Sequence, residues 1–240
     1  MPVECWSENV RELQEGVSGM TIQEAIRERH SVRRFTEKPI GKQEVSALRG
    51  LIDEANRESG LHIQLVLNEP ESFNTLFAHY GRFANAVNYI AIVGPKDMPD
   101  LEEKAGYYGQ KLVLEAQMMG LRTCWAGGSF SRGKCRAEID EGEKNVLVIA
   151  IGYGQSDGKE HRSKPVEKVC TVPESEMPEW FRIGVEAALL APTAINQQKF
   201  TISMDEGGNA VIKAGRGPFS KVDLGIVKYN FEAASGHKCR

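Results

Sequence analysis

Four arginines, Arg27, Arg29, Arg33 and Arg34, crowd around His30 and Ser31 in one short stretch of the chain. Guanidinium forks match phosphate oxygens, and a serine hydroxyl adds one more hydrogen bond. The cluster therefore suits a small anionic ligand, of which phosphate is the commonest. A basic run at a helix end also suits plain solvent, where it complements the negative pole of the helix. Two further stretches hold residues of chemical interest. Gly127-Gly128 follows a short extended piece, and Pro192 to Asn196 follows an apolar helix. Taken alone, the first reads as a turn and the second as a helix stop with a turn asparagine.

The chain that must position them has 240 residues, 41% hydrophobic and 26% charged, with a formal net charge of -3. Those values belong to a globular protein able to bury a sizeable core. The slightly acidic balance gives no support to a nucleic-acid or membrane-surface role. No apolar run approaches the roughly 20 residues a membrane-spanning helix needs, and no signal peptide is evident at the N-terminus. The five cysteines, Cys5, Cys124, Cys135, Cys170 and Cys239, are scattered and contain no Cys-x-x-Cys pair. Reduced thiols in a cytoplasmic protein are expected, with neither a disulfide framework nor a metal site.

Periodicity predicts the elements. Thr21-x-x-Glu24 has the spacing of a capping box and opens a short helix that delivers the arginines. Further helices are expected at about 42–56, 100–119, 179–190 and 221–235, with Gly120 as a left-handed cap. Strands are expected at 63–67, 87–93, 145–152, 199–204 and 210–213, the last two joined by a tight turn at 205–209. Residues 165–178 read as a connector. Without gaps, 51–69 and 188–206 both run helix end, polar linker, strand and acidic turn. This faint echo is either chance or the mark of two related halves.

Four segments together resemble the FMN-dependent nitroreductase family. They are Arg29-His30-Ser31-Val32-Arg33-Arg34-Phe35, Gly120-Leu121 through Trp125-Ala126-Gly127-Gly128, Ile151-Gly152 through Arg162-Ser163-Lys164-Pro165, and Ala191-Pro192-Thr193-Ala194-Ile195-Asn196-Gln197-Gln198. The order is unusual, because the Ala-Pro segment of ordinary members follows soon after the basic motif and reaches the partner subunit's flavin. The resemblance therefore implies a divergent, fused branch in which one chain supplies both parts of a site. The implied fold is α+β, a three-layer α-β-α arrangement around a mainly antiparallel sheet. It comprises two related halves, 1–168 carrying the basic motif and 169–240 carrying the Ala-Pro-Thr segment.

Residue by residue, the resemblance puts Arg29, His30 and Ser31 on the FMN phosphate and ribityl end and Arg33 near the pyrimidine edge. Arg162 and Lys164 would close over the phosphate, with Lys159 a weaker candidate. Pro192, Thr193 and Asn196 would meet the ring and ribityl groups, and the backbone at Ala126, Gly127 and Gly128 would approach N5. Lys199 and Phe200 depart from the family's Pro-Trp pair. The implied activity is ping-pong reduction of nitroaromatics, quinones or similar small acceptors by NADH or NADPH, with no catalytic side chain. The alternative is a flavin-binding or sensing protein with little turnover. A monomer or loose homodimer is expected. Tyr80 to Phe83, Tyr107-Tyr108 and Phe130 are candidate pocket walls.

Overall fold

A computed structural model describes residues 19–74 and 82–240. Cys5 and Tyr80 lie outside the described residues. Helix α1 (Ile22–Glu28) begins with the capping box: Glu24 N–H donates to Thr21 Oγ1 at 3.3 Å, and Thr21 N–H donates to Glu24 Oε2 at 2.7 Å. Helix α2 (Lys42–Ser59) ends at Gly60, whose φ of 73° is the left-handed conformation a C-terminal cap requires. Strands β1 (His62–Val66) and β2 (Tyr89–Pro95) follow, then the long helix α3 (Leu101–Met118) with Gly120 turned left-handed beyond it. β3 (Arg122–Ala126) and β4 (Glu143–Gly152) complete the sheet. The last third holds α4 (Glu179–Leu189), a hairpin of β5 (Phe200–Met204) and β6 (Ala210–Ala214), and α5 (Ser220–Ser235). Every expected element is present, with ends moved by no more than a few residues.

The sheet is antiparallel throughout, in the order β1-β2-β4-β3. Its central strands are apolar without alternation because both faces are covered. Ile63, Ile90, Ile92, Leu147, Ile149 and Ile151 pack beneath the helices. Tyr89, Ala91, Val93, Cys124, Val148 and Ala150 pack on the other face against Val32, Phe35, Phe73, Phe83 and Phe130. That second cover consists, among the described residues, of extended and loop segments. No described helix is long and apolar enough to cross a membrane. Cys124, Cys135, Cys170 and Cys239 carry free thiols.

α5 lies along α3, and two glycines set how closely. A Cβ on Gly225 would stand 1.9 Å from the Glu103 carbonyl oxygen, and one on Gly106 would stand 2.0 Å from that of Val222. A buried polar ladder links three helices: Gln110 Nε2 donates to Asn230 Oδ1 at 2.9 Å, and Asn230 Nδ2 donates to the Ala187 carbonyl at 3.0 Å.

Glu115 of α3 is only 3% exposed. Burial, reinforced by Glu54 and partly opposed by Lys111, raises its pKa to about 7. The carboxyl stays protonated in the fold at pH values where the unfolded chain has already lost the proton. The contribution of Glu115 to stability is therefore complete below about pH 4.5 and declines as pH rises toward 7, by about 3 kcal/mol for a shift of this size. Glu115→Gln is expected to flatten that decline, as measured by urea unfolding at pH 5 and pH 8. An unchanged difference between the two pH values in the variant would refute this account.

Candidate active site

Arg29 is the cap residue of α1 and already extended, so the basic motif leaves the helix as an irregular strand. Isolated bridges pin it: Ser31 to Thr123, Arg34 to Ala84 and Phe35 to Gly154. Val32 and Phe35 drop into the core, and the arginines and the serine of the motif line a cavity of about 1220 Å³. Arg29, Ser31, Arg33 and Arg34 form one wall of it.

The same cavity is lined in part by an elbow, residues 192–198. Ile195, Asn196 and Gln198 have φ of 49°, 54° and 43°, left-handed values that are costly for residues other than glycine and most so for a β-branched one. The neighbours hold this shape through both main-chain and side-chain atoms of the elbow. Lys164 Nζ donates to the Gln197 and Gln198 carbonyls at 2.8 and 2.9 Å, and Asp223 Oδ1 accepts from Ala194 N–H at 2.9 Å. Asn196 Nδ2 and Gln198 Nε2 both donate to the Arg162 carbonyl, at 3.0 and 2.8 Å. Gln197 Nε2 donates to Asp223 Oδ2 at 2.7 Å. Pro192, Thr193, Ile195 and Asn196 face the cavity, and Ile195 is 89% exposed. The early arginines and the late elbow, more than 150 residues apart in sequence, thus share one cavity.

Charge in this cavity is one-sided. Among the described residues, Arg29, Arg33, Arg34, Arg82 and Lys159 line it against a single carboxylate, Glu160. Arg29 is 3% exposed, and its Nε and Nη1 find no hydrogen-bond partner among the described residues. Burial lowers its pKa to about 10. A buried guanidinium without a counter-charge is costly, and an anion at the cavity floor relieves that cost. Burial lowers the His30 pKa, and the Arg29 charge lowers it further.

The other expected residues fall around this cavity or beyond it. His30, Arg162 and Lys164 are not among its lining residues; the Lys164 ammonium is spent on the elbow carbonyls. Ala126, Gly127 and Gly128 do not line it either. What presses on Gly127 is the Phe219 ring, whose Cζ would stand 2.5 Å from an added Cβ. Lys159 and Phe83 do line the cavity. Phe130 stands behind Phe73, ring centroids 6.5 Å apart, and Tyr107 turns away, donating to Glu232 Oε2 at 2.7 Å.

Sequence comparison decides the family. A profile of the family described as "Putative TM nitroreductase" matches residues 21–235. The chain belongs to that family. No curated protein matches its sequence. Among solved structures, a putative nitroreductase from Thermotoga maritima superposes with a TM-score of 0.66 at 23% identity, covering 90% of this chain and 83% of that one. A putative nitroreductase in complex with FMN from Desulfovibrio desulfuricans gives 0.51 at 19% identity, covering 63% of this chain and 96% of that one. A nitroreductase family protein from Streptococcus pneumoniae gives 0.51 at 17%, covering 64% and 100% respectively. These likenesses establish an α+β nitroreductase fold.

Sequence reasoning about this nitroreductase-family chain passed over several cavity residues. Arg34 belongs to the basic motif but was given no contact, and Pro70, Phe73 and Asn74 come from a loop without any motif. Glu69 anchors that loop, accepting from the Glu71 and Ser72 amides at 2.6 and 3.2 Å and from Tyr89 Oη at 3.1 Å. The signal, a buried carboxylate facing its own next turn, is visible only once β2 is in place.

Proposed function

We propose that this chain is an FMN-dependent oxidoreductase that uses NADH or NADPH to reduce nitroaromatic, quinone or similar electron-poor small molecules. The observation that carries the reading is the shared cavity: a buried arginine whose Nε and Nη1 are unpartnered among the described residues, and a strained, tightly held elbow, line the same space. The FMN-bound Desulfovibrio relative, similar in fold, supports it. At about 1220 Å³ the cavity exceeds what one drug-sized ligand needs, leaving room for a second planar molecule.

Arg29 and Ser31 fit the phosphate of the cofactor, with His30 at their edge and Arg162 closing from the neighbouring loop. Arg33 fits the pyrimidine edge, where its charge favours electron gain by the ring. Pro192, Thr193 and Asn196 orient the ring and ribityl chain, and Lys164 holds the elbow that carries them. The backbone at Ala126, Gly127 and Gly128 would reach the N5 edge of the ring from outside the cavity lining. When bound, FMN supplies the hydride-accepting and hydride-releasing chemistry. The side chains bind, orient and polarise, and no proton-transferring residue is required.

The fused-halves reading, 1–168 and 169–240, gains support from the two helix glycines. Gly106 meets Val222 and Ile226, while Gly225 meets Glu103 and Tyr107, so each glycine meets residues three before and one after the other. That reciprocity is what an approximate internal twofold axis would produce. A cavity built within one chain suits a monomer or loose homodimer, and the free thiols suit the cytoplasm.

The test is an anaerobic titration of FMN-reconstituted protein with each nicotinamide nucleotide, followed by a quinone or nitroaromatic. The flavin absorbance is expected to bleach with at least one nucleotide and return with the acceptor. A spectrum that stays oxidised with both nucleotides would defeat the proposal.

A further inference from the structure

The positive charge of the cavity is more than one cofactor phosphate can use. Resting on the flavin reading above, Arg29 and Ser31 serve that phosphate and Arg33 the ring edge, which leaves Arg34 and Arg82 among the cavity's lining arginines. The two are neighbours through the backbone: Arg34 bridges to Ala84, two residues beyond Arg82, and Phe35 N–H donates to the Ala84 carbonyl at 3.0 Å. Arg34 Nε donates to Gln155 Oε1 at 3.2 Å, which steadies the guanidinium. Its two Nη groups remain without a hydrogen-bond partner among the described residues. Neither Arg34 nor Arg82 forms an ion pair there, and both stand in the concave lining of the cavity.

Two unpaired guanidiniums lining a concave site mark a place for an anion, because forked donors at short range select carboxylate or phosphate over neutral groups. Exposed arginines elsewhere on a surface carry no such meaning. Arg34 and Arg82 are exposed too, but they line a cavity to which, among the described residues, one carboxylate, Glu160, contributes. We propose that Arg34 and Arg82 form a second anion subsite, distinct from that of the cofactor phosphate. Its ligand is a carboxylate or phosphate borne by the small molecule that shares the cavity with the cofactor. Two sources carry that chemistry: an acidic group on the electron acceptor, or the 2′-phosphate of the reducing nucleotide.

Calorimetric titration of the purified protein distinguishes them, using benzoate against benzamide for the first source and adenosine 2′-monophosphate against adenosine for the second. At least one charged probe is expected to bind about tenfold or more tightly than its neutral partner at low salt. Preference for benzoate identifies the acceptor as the anionic partner, and preference for the 2′-phosphate identifies the nucleotide. Arg34→Gln/Arg82→Gln is expected to abolish the preference while flavin content and melting temperature stay at the parent values. Equal affinities for charged and neutral probes, or a preference that survives in the double variant, would overturn the subsite. Flavin content is read separately in the parent. Colourless protein that cannot be reconstituted with FMN defeats the flavin reading, whereas yellow protein without charge preference defeats the subsite alone.

Discussion

Purified protein carrying Arg29→Ala and Arg33→Ala is expected to be colourless after reconstitution with FMN and gel filtration, under conditions in which the parent stays yellow. The larger part of the effect belongs to Arg29, a buried guanidinium whose Nε and Nη1 have no partner among the described residues. Charge-assisted hydrogen bonds in such a setting contribute about 1.5–3 kcal/mol each. Loss of two weakens binding on the order of 100-fold or more. The same substitution removes an uncompensated buried charge, so without flavin the Arg29→Ala single variant is expected to unfold at a higher urea concentration than the parent. Opposite signs for flavin retention and flavin-free stability separate a ligand-binding arginine from one that merely packs. Full flavin occupancy in the double variant would remove the cluster from the site.

Gly225→Ala is expected to destabilise the fold by about 3 kcal/mol or more, as measured by urea unfolding. On an ordinary helix the same change stabilises by up to about 1 kcal/mol, since alanine is the better helix former. Here the new methyl carbon would stand 1.9 Å from the Glu103 carbonyl oxygen and 2.6 Å from the Tyr107 amide nitrogen, and neither backbone atom can step aside alone. Gly50 of α2 supplies the control, because an added Cβ there meets nothing within 4 Å. Gly50→Ala is expected to stabilise modestly. Equal effects at the two positions would refute the close seating of α5 on α3.

These glycines mark where the sequence stopped being readable. The helices and strands were legible because each rests on local chemistry: the Thr21-Glu24 box, the branched runs of β2 and β4, and the left-handed cap at Gly120. The meeting of the arginine motif with the Pro192-Asn196 elbow came from family resemblance, since spacing alone cannot bring together residues so far apart. Gly106 and Gly225 looked like any helical glycine until a neighbouring backbone lay against them. Tyr107 and Tyr108 looked like pocket aromatics because nothing local reveals that α5 covers that side of α3. Gly127 was expected to make way for a ligand and instead faces the Phe219 ring, a contact delivered from the start of α5.

The elbow has one more consequence. Lys164 and Asp223 grip carbonyls and an amide there, while the side chains of Ala194 and Ile195 make no hydrogen bond. Curvature held by these grips and by the side chains of Asn196, Gln197 and Gln198 leaves the Ala194 and Ile195 side chains open to be rewritten. New substrate preferences could then arise by drift at the lip of the cavity without rebuilding the hinge that carries it.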